Sequence, residues 1–348
     1  MAAAHAGAQP MSEPTTRRVA AVQLAVRIGD VPSNLRHIED IVGQAVREHS
    51  PEMVFLPESA NHPNIHGRVM RHVVEPIHGP TLATLRGLAA KHDCIVGGGY
   101  LAIRGGDARG TYAVCEPDGA ISFHDKDQPS MWENNNYTPG QDLGIADTGI
   151  GPIGVANGFE WLRSRTAARL RGRVRLVAGG MCFPSFPQWG VTKKWFWERE
   201  HATMVELARE TPGRMARVVG VPCVHPSHVG DITMSTPFAP GVPWPTILLG
   251  ETQIVDGAGT SLAHLSYDDG EGYIAADVAW GEAKPVNPVP PRFWMPTLPW
   301  TVHTVWYATN ASGRARYALD RKRKMFPWQW DPAQGRDLPD RVPPGMLD

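Results

Sequence analysis

A strand–helix–strand pattern near the start of the chain constrains the fold most. Residues 18–26 form an apolar run that predicts a central β-strand, and residues 53–56 form a second, shorter one before Pro57. Between them, apolar residues recur at helical spacing and predict an amphipathic helix over 34–48, with Ser33 as its N-cap. Two buried strands joined by a helix form a βαβ-like unit, which favours an α/β fold.

The alternation continues along the chain. Pro117-Asp118-Gly119 is a turn sequence between two strand-like runs and predicts a β-hairpin. Further helices are predicted over 81–92, 161–171 and 195–211, and further strands over 94–100, 111–115, 121–124, 174–178, 215–221, 254–255, 262–265 and 272–277.

Composition limits the classes of partner. The chain has 348 residues and a net charge of −1, so nothing favours nucleic acid or a membrane surface as a partner. Its four cysteines are widely spaced, and His62, His66, His225 and His228 stand on predicted loops without a completing carboxylate or Cys, so we predict no disulfide, no metal and no cofactor. Without a signal-peptide pattern, we expect a cytoplasmic protein that binds a small molecule.

Three segments are predicted. Residues 1–17 are rich in Ala, Pro and polar residues, which predicts a disordered tail. Residues 18–284 show no internal break and predict one large domain. Residues 285–348 are rich in Pro and Trp and show little helix or strand pattern. Because this extension is too aromatic for a linker, we expect it to pack on the core or on a second subunit.

The middle of the chain predicts a strand–turn–helix motif, here called the elbow, of the kind that carries catalytic residues in many enzymes. Residues 153–156 predict a short buried strand that enters a sharp turn at Asn157-Gly158, followed by a helix from about Leu162. Many enzymes mount a nucleophile on such a turn, because it holds one side chain clear of the sheet. Here the residue at the tip is Gly158, which has no side chain with which to attack.

Three charged residues stand at strand ends or in the loop before the elbow. Glu58 follows a buried strand directly, so partial desolvation should raise its pKa towards the range of a general base. Lys126 follows the hairpin and is suited to stabilising an oxyanion. Glu133 lies in a loop crowded with amides. Taken singly, Glu58 could cap the next segment, Lys126 could pair with Asp125 or Asp127, and Glu133 could be solvated.

Taken together and in order, these pieces resemble the carbon–nitrogen hydrolase (nitrilase) superfamily. The likeness spans roughly residues 18–280. It rests on Val19-Ala-Ala-Val-Gln23, Leu56-Pro-Glu58, His124-Asp-Lys126, Glu133 with Tyr137-Thr-Pro-Gly140, Ile153-Gly-Val-Ala156 with Phe159-Glu160, and Gly272-Tyr-Ile-Ala-Ala-Asp277. The resemblance implies an α/β fold, a four-layer α-β-β-α sandwich that forms a homodimer or higher homo-oligomer through its helices.

The resemblance also implies roles for individual residues. Glu58 matches the general base, Lys126 the cation that steadies the tetrahedral intermediate, and Glu133 the second glutamate. The family's cysteine stands two residues before the position of Glu160, which is Gly158 here. Without a thiol, the usual thioester cannot form. Asn157 departs from the family pattern as well, and two adjacent departures favour a natural variant over an engineered one.

We predict ligand contacts from residues around the elbow and its neighbouring loops. Cys182 follows the next predicted strand and either lines the same pocket or is a buried, inert thiol. Trp- and Pro-rich stretches at 183–189 and 237–245 favour a hydrophobic or aromatic ligand. The predicted substrate-binding residues are Trp132, Tyr137, Asn157, Phe159, Glu160 and Cys182.

Three functions fit this sequence. In the first, Glu58 and Lys126 serve a non-covalent acid–base enzyme that performs cyclisation, condensation, elimination or hydration of a small C–N substrate. In the second, the protein is a pseudoenzyme that binds a ligand or partner without catalysis. In the third, it is an ordinary amidase or nitrilase that carries an inactivating Cys-to-Gly substitution. The first is our leading hypothesis, because Glu58, Lys126 and Glu133 all keep their family context.

Overall fold

The computed structural model describes residues 15–189, 194–237, 239, 241–330 and 337–347. In these residues the chain forms five α-helices: α1 Val31–His49, α2 Pro80–His92, α3 Ser164–Leu170, α4 Lys194–Val219 and α5 Trp300–Lys322. It also forms these strands: β1 Thr15–Leu24, β2 Met53–Phe55, β3 Glu75–Pro76, β4 Ile95–Arg104, β5 Asp107–Cys115, β6 Ile121–Asp125, β7 Ile145–Thr148, β8 Gly151–Val155, β9 Leu176–Ala178, β10 Cys223–His225, β11 Ser227–Ser235, β12 Pro243–Leu249, β13 Thr252–Val255, β14 Ser261–Leu265, β15 Gly272–Trp280 and β16 Arg341–Val342.

The strands form two sheets. In the larger sheet the order is β12-β11-β1-β2-β4-β5-β6-β16, with β15 also paired to β1 and β3 to β4. Strands β1, β2 and β4 run parallel to one another, as helical crossover connections require. The smaller sheet has the order β14-β13-β10-β9-β8-β7.

Side-chain alternation along β1 explains how the layers stack. Val19 and Ala21 face the space between the two sheets, where they join a core that includes Ile153 of the smaller sheet. Ala20 and Val22 point the other way and pack with Ile38 of α1. Helices α3 and α4 cover the outer face of the smaller sheet. The predicted four-layer α-β-β-α sandwich is therefore confirmed.

Helix α1 begins earlier than predicted. Its N-cap is Asp30, whose Oδ1 accepts a hydrogen bond from the N–H of Ser33 at 3.2 Å, so the prediction of Ser33 as the cap was wrong. Pro32 then fits in the first turn, where the helix needs no N–H donor.

Helix α4 is longer than the sequence indicated. The predicted strand over 215–221 was wrong, because α4 runs through Pro212 to Val219. Leu207, Thr211, Met215 and Val218 are all buried on one side of this helix. An internal proline costs about 3 kcal/mol. Burial of a long apolar helix face is large enough to offset that cost.

The chain beyond residue 285 contains a helix that the sequence pattern did not predict. The buried residues of α5 recur at helical spacing but are mostly small or polar: Thr301, Val302, Trp306, Thr309, Asn310, Gly313, Tyr317 and Asp320. Trp306 and Trp328 are buried, whereas Trp300, Tyr307 and Trp330 are exposed.

The start of the chain differs from the predicted tail. Thr15–Arg17 belong to β1 and pair with β15, whereas residues 1–14 lie outside the described residues. Within the described part of the chain, no helix has the length and apolar character needed to cross a membrane.

Candidate active site

The elbow begins where β8 ends. The chain passes through Asn157 into a 3₁₀ turn, Gly158–Leu162, and α3 follows at Ser164, slightly later than predicted. Gly158 has a φ of +52°, a left-handed conformation that glycine adopts without strain. Its N–H donates to the carbonyl oxygen of Gly180 at 2.8 Å, which fixes the turn against the chain that follows β9.

Glu58 and Lys126 meet beside this turn. Glu58 follows β2 and Lys126 follows β6, and both side chains are buried. Lys126 Nζ lies 2.5 Å from Glu58 Oε1, while Glu58 Oε2 accepts a hydrogen bond from the N–H of Cys182 at 3.3 Å. The ends of two strands of one sheet thus place an acid and an ammonium group in contact.

Glu133 completes the cluster from a 3₁₀ turn at Met131–Asn135. Lys126 Nζ donates to Glu133 Oε2 at 2.7 Å and to Oε1 at 3.0 Å. Tyr137 Oη donates to Oε2 at 2.7 Å, and Asn64 Nδ2 donates to Oε1 at 3.2 Å. The N–H of Ser130 also donates to Oε2. These contacts hold Glu133 in one orientation and leave Lys126 between two carboxylates.

Burial sets the protonation behaviour of the cluster. Desolvation raises the pKa of Glu58 to about 7, and the charge of Glu133 adds to this rise, while Lys126 opposes it. Desolvation would lower the pKa of Lys126, but the charges of Glu133 and Glu58 outweigh it and raise that pKa. The site therefore holds a permanent cation beside a carboxyl group that titrates near neutrality.

Gly158 faces the acid and the ammonium group directly. A Cβ atom at this position would lie 2.6 Å from Lys126 Nζ and 2.8 Å from Glu58 Oε1. Both distances are too short for a real Cβ contact. The two charged groups therefore occupy the space that a side chain at residue 158 would need.

A cavity of about 40 Å³ opens beside the cluster. It is lined by Glu58, Glu133 and Gly158, and by three of the predicted ligand-contact residues, Trp132, Phe159 and Cys182. The other three predicted contacts, Tyr137, Asn157 and Glu160, do not line it. Tyr137 instead supports Glu133 from outside the cavity wall.

Glu160 belongs to a separate ionic network behind the elbow. Its Oε2 lies 2.8 Å from His124 Nε2 and accepts a hydrogen bond from the N–H of Asn157 at 2.8 Å. Its Oε1 pairs with Arg169 at 3.2 Å. Although burial opposes it, the charges of His124 and Arg169 hold the pKa of Glu160 well below its usual value. Glu160 thus braces the elbow instead of facing the cavity.

Cys182 lines the cavity as a protonated thiol. Burial raises its pKa well above the usual value, and the charge of Glu58 adds to the rise. Its sulfur accepts a hydrogen bond from the N–H of Asn64 at 3.2 Å. All four cysteines are free and buried, and the described residues contain no group of His, Cys, Asp and Glu side chains suited to holding a metal ion.

Sequence reasoning missed several residues of the cavity wall. Asn64 lies in a loop between His62 and His66, and Ser130 lies in a loop as well, so no sequence pattern marks either residue as a cavity residue. Phe183 and Trp244 lie in the stretches 183–189 and 237–245 that were predicted to favour an aromatic ligand, whereas Met204, Val302 and Val305 come from distant parts of the chain and carry no motif. No spacing rule could have found them, because only the folded chain brings them together.

The fold and site define a class of protein, an α-β-β-α sandwich with a buried Glu-Lys-Glu cluster at its strand ends. A family model described as carbon–nitrogen hydrolase matches residues 18–222. The chain therefore belongs to the carbon–nitrogen hydrolase family, as the resemblance implied. No curated protein sequence matches it significantly.

Solved structures from the same superfamily share the fold. A carbon–nitrogen hydrolase from Helicobacter pylori G27 superposes with a TM-score of 0.61 at 16% identity, over 91% of this chain and 98% of that one. The nitrilase-superfamily member Nit3 from Saccharomyces cerevisiae gives 0.56 at 20% identity, over 76% and 90%. A mutant amidase from Nesterenkonia sp. AN1, with an acetamide moiety bound covalently at its active-site cysteine, gives 0.57 at 14% identity, over 89% and 95%.

Proposed function

We propose that this protein is an acid–base enzyme that acts on a small C–N compound without forming a covalent intermediate. The observation that carries the proposal is the contact of Lys126 with both Glu58 and Glu133 at the wall of a cavity that also includes Gly158. Keeping three buried charges together costs several kcal/mol in desolvation unless they pair with one another. Such an arrangement is typical of a working site.

Addition of water to a carboxamide illustrates the chemistry that these residues support. Glu58 takes a proton from water as the water oxygen bonds to the carbonyl carbon, and the carbonyl π electrons move to oxygen beside Lys126. The oxyanion then re-forms the C=O bond as the C–N bond breaks, and the C–N electrons go to nitrogen, which receives the proton held by Glu58. Cyclisation, condensation or elimination would use the same base and the same cation.

The thioester route has no suitable nucleophile among the residues of the cavity. We infer that Gly158 stands where the family has its cysteine, because a side chain there would point directly between Glu58 and Lys126. Cys182 does not replace it, since burial and the charge of Glu58 raise its pKa and keep it a neutral thiol, although the N–H of Asn64 opposes this rise. Water or a second substrate group would therefore be the attacking group.

A matched pair of substitutions tests the proposal. Glu58→Gln should abolish turnover in a screen of small amides, nitriles and N-carbamoyl compounds, read by mass spectrometry of the products. Glu75→Gln is the control, because Glu75 is a second carboxyl group whose pKa burial raises to about 7, and it lies outside the cavity lining. Turnover that survives Glu58→Gln would contradict the proposal.

A ligand-binding pseudoenzyme is the second candidate. It is favoured because Lys126 is already paired with both Glu58 and Glu133 beside a small cavity. It predicts ligand binding without turnover, and binding that survives Glu58→Gln.

For an inactivated amidase, Gly158→Cys would restore hydrolysis and give an acyl-enzyme visible by intact-mass spectrometry.

The cytoplasmic location and the helix-mediated homodimer stay predictions, and light scattering of the purified chain tests the dimer.

A further inference from the structure

An open groove lies between helix α5 and the turn that carries Glu133. Its walls come from the 3₁₀ turn Arg68–Arg71, the turn Met131–Asn135, the end of β11 and the middle of α5. Its volume of about 700 Å³ falls in the range of about 300–1,000 Å³ that is usual for small-molecule sites. The groove is therefore large enough to hold a small organic molecule.

This groove is distinct from the cavity beside Lys126. In the turn that both of them use, Glu133 lines the cavity and Asn135 lines the groove. On α5, Val305 lines the cavity and Ser312 lines the groove. Among the residues that the structure describes, the two have no lining residue in common. A ligand in the groove would therefore be held by residues that take no part in the acid–base cluster.

Three arginines give the groove a positive charge. Arg68, Arg71 and Arg316 all line it, and its described lining residues include no acidic side chain. The buried Asp320 accepts hydrogen bonds from Arg71 and, at 2.8 Å, from Arg316. His66 also lines the groove, and burial lowers its pKa, so it is neutral at pH 7. Three positive charges thus stand against one negative charge, and an anion in the groove would be attracted.

Two of the three guanidinium groups are ordered before any ligand binds. Arg71 and Arg316 share the carboxylate of Asp320, and the guanidinium of Arg71 also lies 5.3 Å from the centre of the Phe326 ring. Because these side chains already have a fixed position, binding an anion would cost less conformational entropy. Arg68 is exposed and pairs with no acidic group among the described residues, so its charge is available to a ligand.

Uncharged polar groups complete the lining. Thr236 is 5% exposed, and its Oγ1 has no hydrogen-bond partner among the described residues, although buried polar atoms normally have one. The side-chain amides of Asn135 and Asn136 can also donate hydrogen bonds. Neutral donors beside guanidinium groups are well suited to binding carboxylate or phosphate oxygens.

We propose that this groove binds a small organic anion through a carboxylate or phosphate group that pairs with Arg68, Arg71 and Arg316 and accepts a hydrogen bond from Thr236. The inference goes beyond the proposed function, since it concerns a second site with its own ligand. Guanidinium groups form paired hydrogen bonds with both kinds of oxyanion, so either head group fits. The volume that remains beside the head group accommodates the carbon skeleton of the ligand.

Calorimetry on the full chain with three probes tests the ligand class. Inorganic phosphate and succinate are the anions, and succinamide is the uncharged analogue of succinate. At a fixed ionic strength of about 0.15 M, at least one anion should bind with a Kd of about 1 mM or below, and succinamide should bind at least tenfold more weakly than that anion. Tighter binding of phosphate would indicate a phosphorylated ligand, and tighter binding of succinate a carboxylate. Succinamide binding as tightly as the anions, or no detectable binding of either anion, would overturn the proposal.

Three substitutions test whether the anion lies in the groove. Arg68→Gln and Arg316→Gln should each weaken anion binding about fivefold to tenfold, because each removes a charged partner. Thr236→Val should weaken it about threefold to tenfold without lowering stability, because the hydroxyl has no partner in the free protein.

Lys322→Gln is the matched control, since Lys322 is exposed on α5 outside the groove lining and its removal takes away the same charge. Anion affinity in this variant should stay within about twofold of the unmodified protein. Affinity that is unchanged in both arginine variants, or that falls equally in Lys322→Gln, would contradict the assignment of the site.

Discussion

Lys126 occupies space that a side chain on residue 158 would need, since a Cβ atom there would lie 2.6 Å from its Nζ. The ammonium group is held at that point by two carboxylates, at 2.5 Å from Glu58 and 2.7 Å from Glu133. Because Lys126 is buried and doubly paired, it cannot move aside without breaking a charge-assisted hydrogen bond. The glycine and the closed ion cluster therefore depend on each other.

Gly158→Ala should destabilise the protein more than a change of backbone preference alone explains. The φ of +52° costs alanine about 1–2 kcal/mol, and displacing the ion cluster should add about 1–2 kcal/mol. Gly172→Ala is the control, because Gly172 has a φ of +71° and nothing within 4 Å of an added Cβ. Urea unfolding of both variants gives the difference. Equal losses of stability in the two variants would mean that the ion cluster moves aside for a side chain without cost.

Glu75→Gln should make stability less dependent on pH. Burial raises the pKa of Glu75 from 4.5 to about 7, so the folded state keeps a proton that the unfolded state has lost between these values. Stability of the unmodified protein therefore falls as pH rises through this window. The variant should gain about 1–3 kcal/mol relative to it between pH 4 and pH 8 in denaturant unfolding. A constant difference across this range would show that Glu75 titrates normally.

Gly313→Ala should destabilise the protein although alanine favours helices. A Cβ on Gly313 would lie 2.7 Å from the Cβ of Asn134, so α5 would have to move away from the turn that carries Glu133. We expect a net loss of about 1–3 kcal/mol and weaker ligand binding. Gly87→Ala in α2 is the control, because nothing lies within 4 Å of an added Cβ. That change should stabilise by about 0.5–1 kcal/mol. Thermal unfolding of both variants measures these changes. A Gly313→Ala variant that is stabilised like Gly87→Ala would contradict the prediction.

Glu160→Gln should cost about 3 kcal/mol, because it leaves His124 and Arg169 with an uncharged partner in a buried network. The measurement is chemical denaturation at neutral pH. Asp277→Asn is the control, since its ion pair with Arg18 is exposed and should contribute less than about 1 kcal/mol. Similarly small losses of stability in both variants would show that the ionic network behind the elbow does not stabilise the elbow electrostatically.

Elements with strong periodic patterns could be predicted from the sequence. The apolar run of β1 and the helical spacing in α1 predicted a βαβ-like unit and an α/β fold, whereas the four layers were implied by the family resemblance. Helix α5 escaped prediction because Thr309, Asn310 and Gly313 on its buried face give no hydrophobic signal. The second half of α4 was not predicted because proline usually ends a helix. A rule based on local sequence does not include the burial that stabilises this helix on both sides of Pro212.

The sequence by itself determined the α/β class through local pattern, and its resemblance to the family implied the sandwich and marked Glu58, Lys126 and Glu133 as site residues. Only the tertiary structure decided which atoms meet. It set the pairing of Lys126 with both glutamates, the approach of that cluster to Gly158, and the place of α5 in the cavity wall. These features depend on contacts between residues far apart in the chain, whose distances are fixed by packing and desolvation of the whole fold.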